Sequence, residues 1–530
     1  MGTDVMESGL GRETPPPDGD MRDLVVGASV NFLGKLARST RGVFLIVVGW
    51  LCGLDVVGDY SLSWGMVSTL NKVARFGLLR GVVRFGIGAR ADGPREAERV
   101  VAAAMRIGLL VSVMVSIGLT LAAGEIAAYY DKPIADAVRI MAWSAPFLTV
   151  AWVFLAAIRA LRLMQFEVYV MAVAGPLILL AGALPVALAG FGLTELAWVQ
   201  LGVSAACCLL AGWFFRRFYS LGESLFPTAG GRNGWGLIRF SLPVMLTDLM
   251  YGLLTQLDVL MLAKFVTSEQ VGIYALTRRI ADAMLKAPQA LDPMFSSVVG
   301  DLSHGERHEE LVHRFVVITR WVLTINLPIF AALYIGGDSI LPLLGGSQVE
   351  AAVNLQLGLQ ILFVLCIGKL AQGAFALVEP LLAMSGRPAL NMYNNSAWLG
   401  CNFLLNYWLL TNGYGLYGAA LGATAAVFIV NAIRMIQIRF IHGIRPFERA
   451  QIKPVAAAGA AALAAWLARG GDAAGGFLQT SAGPLVLFLL VYVLVLRALG
   501  LEAEDRALLG RLGARLRRAR KQGGGGRERE

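Results

Sequence analysis

The chain has 530 residues, 57% of them hydrophobic and only 15% charged, with a mean hydropathy of +0.64, whereas soluble domains carry about 25% charged residues. These figures exclude a compact soluble enzyme, and about fourteen crossings of roughly 20 residues each would consume on the order of 280 to 300 residues, leaving no soluble catalytic domain. The net charge of +10 would point to nucleic acid only if the cations clustered in water, and their placement excludes that partner.

Residues 1–22 are Pro-rich and acidic and lack the apolar h-region of a secretory signal, so they read as a disordered cytoplasmic tail. Apolar spans then follow near 25–54, 61–85, 100–123, 137–158, 168–190, 194–215, 237–263, 271–296, 315–336, 352–377, 389–411 and 415–438. Two more, at 454–468 and 484–499, are barely long enough to cross, so a twelve-span chain with an interfacial ending stands beside a fourteen-span one. The basic tail at 500–530, with Arg511, Arg515, Arg517, Arg518, Arg520 and Lys521, is a solvated cytoplasmic segment or lies on anionic lipid. Cys52, Cys207, Cys208, Cys366 and Cys401 sit among apolar residues without a CxxC pair and read as packing residues, not metal ligands.

Alternate connectors carry the arginines: Arg90, Arg95 and Arg99; Arg159 and Arg162; Arg216, Arg217 and Arg232; Arg307 and Arg314; Arg387; and Arg439, Arg445 and Arg449 with Lys453. The opposite connectors hold only Lys132, Lys264 and Arg469. This asymmetry places both termini in the cytoplasm.

Short signals recur in the two halves. Gly58-Asp59-Tyr60 follows the first span and Gly272-Ile273-Tyr274 lies at the corresponding place after the seventh; Arg162 and Arg387 precede the fifth and eleventh, and Gly192-Leu193 and Gly415-Leu416 open the sixth and twelfth. The reading is an all-α integral membrane protein of two six-helix lobes related by pseudo-two-fold symmetry, plus about two C-terminal helices. The first lobe occupies 23–218, a cytoplasmic linker 219–236, the second lobe 237–440, and the last two helices 453–499. An even number of spans per repeat makes the repeats parallel, with a cavity between the lobes as the natural site.

Charges fall inside these spans. The first contains Lys35, Arg38 and Arg41, the second Lys72 and Arg75, and the eighth Arg278, Arg279, Asp282 and Lys286. Each cation at the bilayer centre costs about 2.5 to 3.5 kcal/mol, so these clusters should face protein or water. Asp282 lies four residues from both Arg278 and Lys286 and is expected to neutralise part of the eighth span. In the first two spans the only acids, Asp55 and Asp59, lie at the outer end. An anion shared between the lobes would compensate the remaining cations. Arg84, Arg239, Arg320 and Arg434 are expected to snorkel. Asp248, Asp258 and Asp282 are candidates for proton or sodium coupling or for structural ion pairs. Asn391, Asn394, Asn395, Asn402 and Asn406 line the eleventh span and read as helix-packing groups, with sugar hydroxyls as the other partner.

The ordered run Phe240-Ser241-Leu242-Pro243, Gln256-Leu257-Asp258-Val259-Leu260, Val271-Gly272-Ile273-Tyr274-Ala275, Arg279-Ile280-Ala281 and Leu291-Asp292-Pro293-Met294-Phe295-Ser296 resembles the start of the second lobe of polysaccharide flippases. That family is a branch of the multidrug/oligosaccharidyl-lipid/polysaccharide exporter superfamily and is related to the lipid II flippases. Leu382-Ala383-Met384-Ser385-Gly386-Arg387 and Gly413-Tyr414-Gly415-Leu416-Tyr417-Gly418 continue the similarity, and Gly58-Asp59-Tyr60 and Phe76-Gly77-Leu78 with Arg84 look like the first-lobe counterparts. The resemblance implies a non-enzymatic flippase of the bacterial inner membrane. Its expected cargo is an undecaprenyl-diphosphate-linked oligosaccharide, as in lipopolysaccharide and other polysaccharide biosynthesis, and its expected partners are membrane lipids and other polysaccharide-assembly proteins. Carried over helix by helix, it implies a cationic cavity built from Arg38 or Arg41, Arg75, and Arg278 or Arg279. Lys35, Lys72 and Lys286 join them as candidate diphosphate-binding residues, since arginine forks and lysine point charges both suit phosphate.

A multidrug antiporter of the same superfamily would hold organic cations with carboxylates and apolar walls, opposite to the cation excess of the first lobe. A membrane glycan polymerase or ligase would need a sizeable outer loop with catalytic groups, and the outer loops here are short. No P-loop, HExxH or CxxC occurs, so no nucleotide, metal or other cofactor is expected beyond a coupling proton or sodium ion.

Overall fold

A computed structural model describes residues 40–91, 93–220, 234–286, 288–289, 308–345, 352–384, 387–443, 449–468 and 483–500. Lys35 and Arg38, the end of the predicted eighth span with Asp292 and Pro293, and both tails lie outside the described residues, as does the side chain of Arg41.

The described residues are helical, with no strand among them. Helices α1 (Thr40–Leu51), α2 (Leu54–Ala74), α3 (Leu78–Ala91), α4 (Pro94–Tyr130), α5 (Ala135–Ala142), α6 (Ser144–Ala160), α7 (Gly175–Leu188) and α8 (Leu193–Phe215) come from the first half. The second half supplies α9 (Gly234–Leu262), α10 (Ser268–Ala281), α11 (His308–Ile335), α12 (Gly337–Gly345), α13 (Ala352–Ala374), α14 (Val378–Met384), α15 (Pro388–Thr411) and α16 (Gly415–His442), followed by α17 (Arg449–Ala468) and α18 (Gly483–Ala498). Among the described residues nine helical segments are long and apolar enough to cross a membrane, and Gly42–Leu51 and Gly483–Ala498 are shorter apolar helices. At 1.5 Å per residue α17 reaches about 30 Å, a full hydrocarbon core, and α18 about 24 Å. Both pack on α11 and on each other.

Several boundaries differ from the sequence reading, for local reasons. The second span begins at Leu54, not 61, because Gly53, with φ 105°, turns the chain directly into α2. It ends at Ala74, where Phe76 (φ 49°) and Gly77 (φ 65°) take left-handed backbone. An added Cβ on Gly77 would lie 2.4 Å from the Ser241 carbonyl oxygen, so glycine is required by both its conformation and the close approach of α9. The eighth span tightens from α-helix to a 3₁₀ segment at Asp282–Leu285. In the fifth span a π-helical stretch, Val168–Ala174, precedes α7, whose Pro176 lacks the N–H that an α-turn would use. The buried thiol of Cys207 faces the carbonyl of Val170 there at 3.9 Å, a packing role as expected.

α2 makes its most extensive contact with α10, and α9 packs on α2, α3 and α15. The first half therefore meets the second chiefly through the polar helix α2. Although 21 residues long, α2 is absent from the nine apolar segments. Its buried polar residues Asp59, Ser63, Thr69 and Asn71 face protein, as membrane-buried polar groups must.

Candidate functional site

Between the helices lies a cavity of about 540 Å³. α1 and α2 supply one wall through Phe44, Tyr60 and Trp64, α7 and α8 add Leu179 and Gln200, and the second half lines the rest from α9, α10, α13, α14, α15, α16 and the 3₁₀ segment at Asp282–Leu285. The described lining contains five cations, Arg278, Arg279, Lys286, Lys369 and Arg434, against three carboxylates, Asp258, Asp282 and Glu379, a formal excess of two positive charges.

Three of the cations are paired across helices. Arg278 stands 3.8 Å from Asp258 Oδ2 and donates to the Thr255 carbonyl, while Asp258 Oδ1 accepts from Asn402 Nδ2 at 2.9 Å. Lys369 lies 2.8 Å from Asp282. Arg434 lies 3.7 Å from Glu379 and donates to Asn395 Oδ1 at 3.0 Å. Arg279 and Lys286 are exposed and line the same space, and Lys286 has no ion pair among the described residues. Lys286 thus contributes an uncompensated positive charge to the described lining.

Of the sequence candidates, the structure brings Arg278, Arg279, Lys286, Asp258 and Asp282 to one cavity. It places three others elsewhere. Lys72 lies 5.0 Å over the ring of Tyr251, which itself lines the cavity. Arg75 donates its Nε–H to the Asn71 carbonyl at 3.2 Å and lies 5.4 Å over Trp152 of α6, so it turns into the first half. Asp248 faces Arg80 at 3.4 Å on an exposed edge.

One expectation is extended and one corrected. Asp282 was expected to neutralise cations of its own span; it interacts electrostatically with Arg278 and Arg279 of that span, and its short contact is with Lys369 of α13. Arg320 and Arg434, expected to snorkel, are buried; Arg434 is only 6% exposed because Glu379 and Asn395 compensate it inside the protein. Arg84 and Arg239 are exposed, as expected. Lys369 was missed, although a lone lysine inside the apolar run 352–377 was itself a legible signal. The amides of the eleventh span divide: Asn394 pairs with Gln437 at 2.7 and 2.9 Å, and Asn391 donates to the Glu379 carbonyl at 2.8 Å. Asn395 and Asn402 line the cavity.

The end of the bundle that the arginine asymmetry assigns to the outside is closed. Asp59 of α2 accepts from Ser268 Oγ at 2.5 Å, and Lys132 donates to Ser268 Oγ at 3.2 Å and to the Val266 carbonyl at 2.9 Å. Reciprocally, Lys264 of the second half donates to the Tyr129 carbonyl of the first. Burial pulls the Lys132 ammonium below its usual range, and Asp59 and Asp131 push it back up.

A two-part helical bundle with nine membrane-length apolar segments among the described residues and a charged cavity in its interior defines a multi-pass helical membrane protein. A family profile described as "Polysaccharide biosynthesis protein" matches residues 58–354, more than half of the chain, and the chain belongs to that family. No curated protein matches it. Among solved structures, a lipid II flippase MurJ in an inward closed conformation is similar over 89% of this chain and 98% of its own, with a TM-score of 0.73 at 12% identity. An inward-facing multidrug resistance MATE family transporter of the MOP superfamily is similar over 77% of this chain and 94% of its own, with a TM-score of 0.63 at 14% identity. The MATE multidrug transporter DinF-BH matches 83% of this chain and all of its own (100%), with a TM-score of 0.58 at 15% identity. At these identities the likeness is one of fold. The chain is thus a member of a polysaccharide biosynthesis family with the fold of these transporters.

Proposed function

We propose that the chain moves undecaprenyl-diphosphate-linked oligosaccharide units from the cytoplasmic to the outer leaflet of a bacterial inner membrane by alternating access, with both termini in the cytoplasm. The observation that carries this reading is the formal positive excess of the inter-lobe cavity's described lining, to which Lys286 adds a charge with no ion partner among the described residues. A diphosphate diester is a compact dianion, and charge-assisted bonds to it contribute about 1.5 to 3 kcal/mol each. The polyprenyl tail need not cross; it stays in lipid while the head group passes. Lys72, one ring behind the wall at Tyr251, adds field rather than contact. Energy coupling to a proton or sodium ion falls to Asp258 or Asp282, the two sequence-identified carboxylates that line the cavity.

Asp258, Asp282 and Glu379 and the fold likeness to MATE transporters favour one rival, a multidrug antiporter. A cavity with net positive charge repels organic cations, which weighs against it. The deciding experiment extracts lipids from a host deleted for the chain. Diphosphate-linked oligosaccharide should accumulate on the cytoplasmic side; drug sensitivity without such accumulation would establish the antiporter.

A further inference from the structure

The cavity lining holds two chemically different groups of residues. Besides Arg279 and Lys286, the residues Glu379, Asn395, Trp398 and Arg434 of α14, α15 and α16 come together on it. Arg434 and Glu379 cancel each other's charge at 3.7 Å, so this group offers no net attraction to phosphate, and an exposed carboxylate, 51% accessible at Glu379, repels it. Arg434 spends one N–H on Asn395 Oδ1. Its Nε–H and the indole N–H of Trp398 are buried and have no hydrogen-bond partner among the described residues.

Orphaned buried donors are costly unless a ligand or water completes them. The neighbouring amides show that the arrangement is held in place. Asn394 is tied to Gln437 of α16 at 2.7 and 2.9 Å, and Asn391 clamps the backbone of Glu379 at 2.8 Å. α14, α15 and α16 are thus fastened to each other by side chains facing away from the cavity ligand set, which leaves Asn395, Glu379 and Arg434 in fixed positions. An aromatic face, a carboxylate acceptor, an amide and a guanidinium with a spare donor match a sugar ring, whose hydroxyls both donate and accept and whose C–H faces are apolar.

We propose that Trp398, Asn395, Glu379 and Arg434 form a carbohydrate subsite that holds the first sugar of the cargo, while Arg279 and Lys286 hold its diphosphate. The proposal rests on the flippase reading and deepens it by dividing the cavity between the two parts of one head group. It also accounts for a cavity that is only modestly positive: part of its polar lining serves a neutral ligand.

The test uses the full chain in lipid nanodiscs and two probes, undecaprenyl diphosphate without sugar and the diphosphate-linked glycolipid extracted from a host deleted for the chain. Wild type should bind the glycolipid more tightly than the bare diphosphate, by roughly tenfold or more, as expected when a ligand hydroxyl completes buried polar groups. Trp398→Ala and Asn395→Ala should bring glycolipid affinity down to that of the bare probe and leave the bare probe unchanged, and Trp398→Phe should keep part of the preference. Because Arg434→Ala opens a buried ion pair and risks misfolding, it is not the deciding variant. Equal affinity of wild type for the two probes, or variants that weaken both probes alike or neither, would overturn the subsite and leave the flippase reading standing. Wild type that binds neither probe, or a deletion host that accumulates no glycolipid, would overturn the flippase reading itself.

Discussion

Gly58 of α2 and Gly272 of α10 meet backbone to backbone where the two halves of the chain cross. A Cβ on Gly58 would lie 1.9 Å from the Ser268 carbonyl oxygen, four residues before Gly272, and a Cβ on Gly272 would lie 2.0 Å from the Leu54 carbonyl oxygen, four residues before Gly58. The contact is reciprocal in the way that pseudo-two-fold symmetry demands. The duplicated Gly-x-Tyr signal marks the crossing point of the repeats.

Gly58→Ala or Gly272→Ala should therefore prise this end apart, since the obstructing atoms are backbone and have no rotamer to escape into. Overpacking of this kind costs about 1 to 3 kcal/mol, enough to shift a closed state toward an open one. In a background without the five native cysteines, a cysteine at Ser61, on the cavity wall one turn from Gly58, should react faster with a membrane-impermeant thiol reagent in either variant. Unchanged labelling would mean that the crossing does not seal the cavity.

Lys132 and Lys264, two of the few cations on the sparsely charged side, are explained by the same closure. Each reaches across to a carbonyl of the other half. Replacing both with Met keeps the apolar stems and removes the bonds. Spin labels at Asp136 and Phe265 should then show a longer or broader distance distribution than in the parent, with Lys132→Met alone giving most of the effect because Lys132 is buried and Lys264 exposed. A distribution identical to that of the parent would remove the clasp from the closing mechanism.

Much of this architecture was legible as apolar runs. The spans 194–215, 352–377 and 415–438 correspond to Leu193–Phe215, Ala352–Ala374 and Gly415–His442. The breaks were less legible because they depend on contacts made elsewhere. Gly77 turns left-handed against Ser241 of a helix more than 160 residues away, and nothing in the local pattern reports it. The cavity was half legible for a similar reason. The charges of the eighth span could be seen, but their partners, Asp258 on α9 and Lys369 on α13, are set by packing between helices. Lys72 and Arg75 look like cavity residues when α2 is read alone. The aromatic rings of Tyr251 and Trp152 that cover them belong to other helices.

The Arg278–Asp258 pair permits a stability test. Its side chains are 17% and 9% exposed, and removing one partner of a buried pair costs about 3 to 5 kcal/mol because the other charge is stranded. Asp258→Asn and Arg278→Gln should each lower the thermal midpoint of the purified protein substantially. The double variant should recover part of the loss, since no charge is then left alone. Strictly additive effects would show that the two groups do not act as a pair.

The division between cations that touch the cargo and cations that only support the wall gives the last expectation. Arg279 and Lys286 line the cavity and are exposed, whereas Lys72 lies over the Tyr251 ring, Arg75 lies over Trp152, and neither belongs to the lining. Losing a charge-assisted bond of about 1.5 to 3 kcal/mol corresponds to roughly a 10- to 100-fold loss of affinity. Arg279→Ala and Lys286→Ala should each weaken binding of undecaprenyl diphosphate on that scale without lowering the thermal midpoint, because neither side chain is buried. Lys72→Ala and Arg75→Ala should do the reverse, lowering the midpoint through lost cation–π contacts and leaving affinity within a few-fold of the parent. If Lys72→Ala instead abolished diphosphate binding in a protein of normal stability, the anion would have to lie on the α2 side of Tyr251, and the cavity described above would not be where the head group rests.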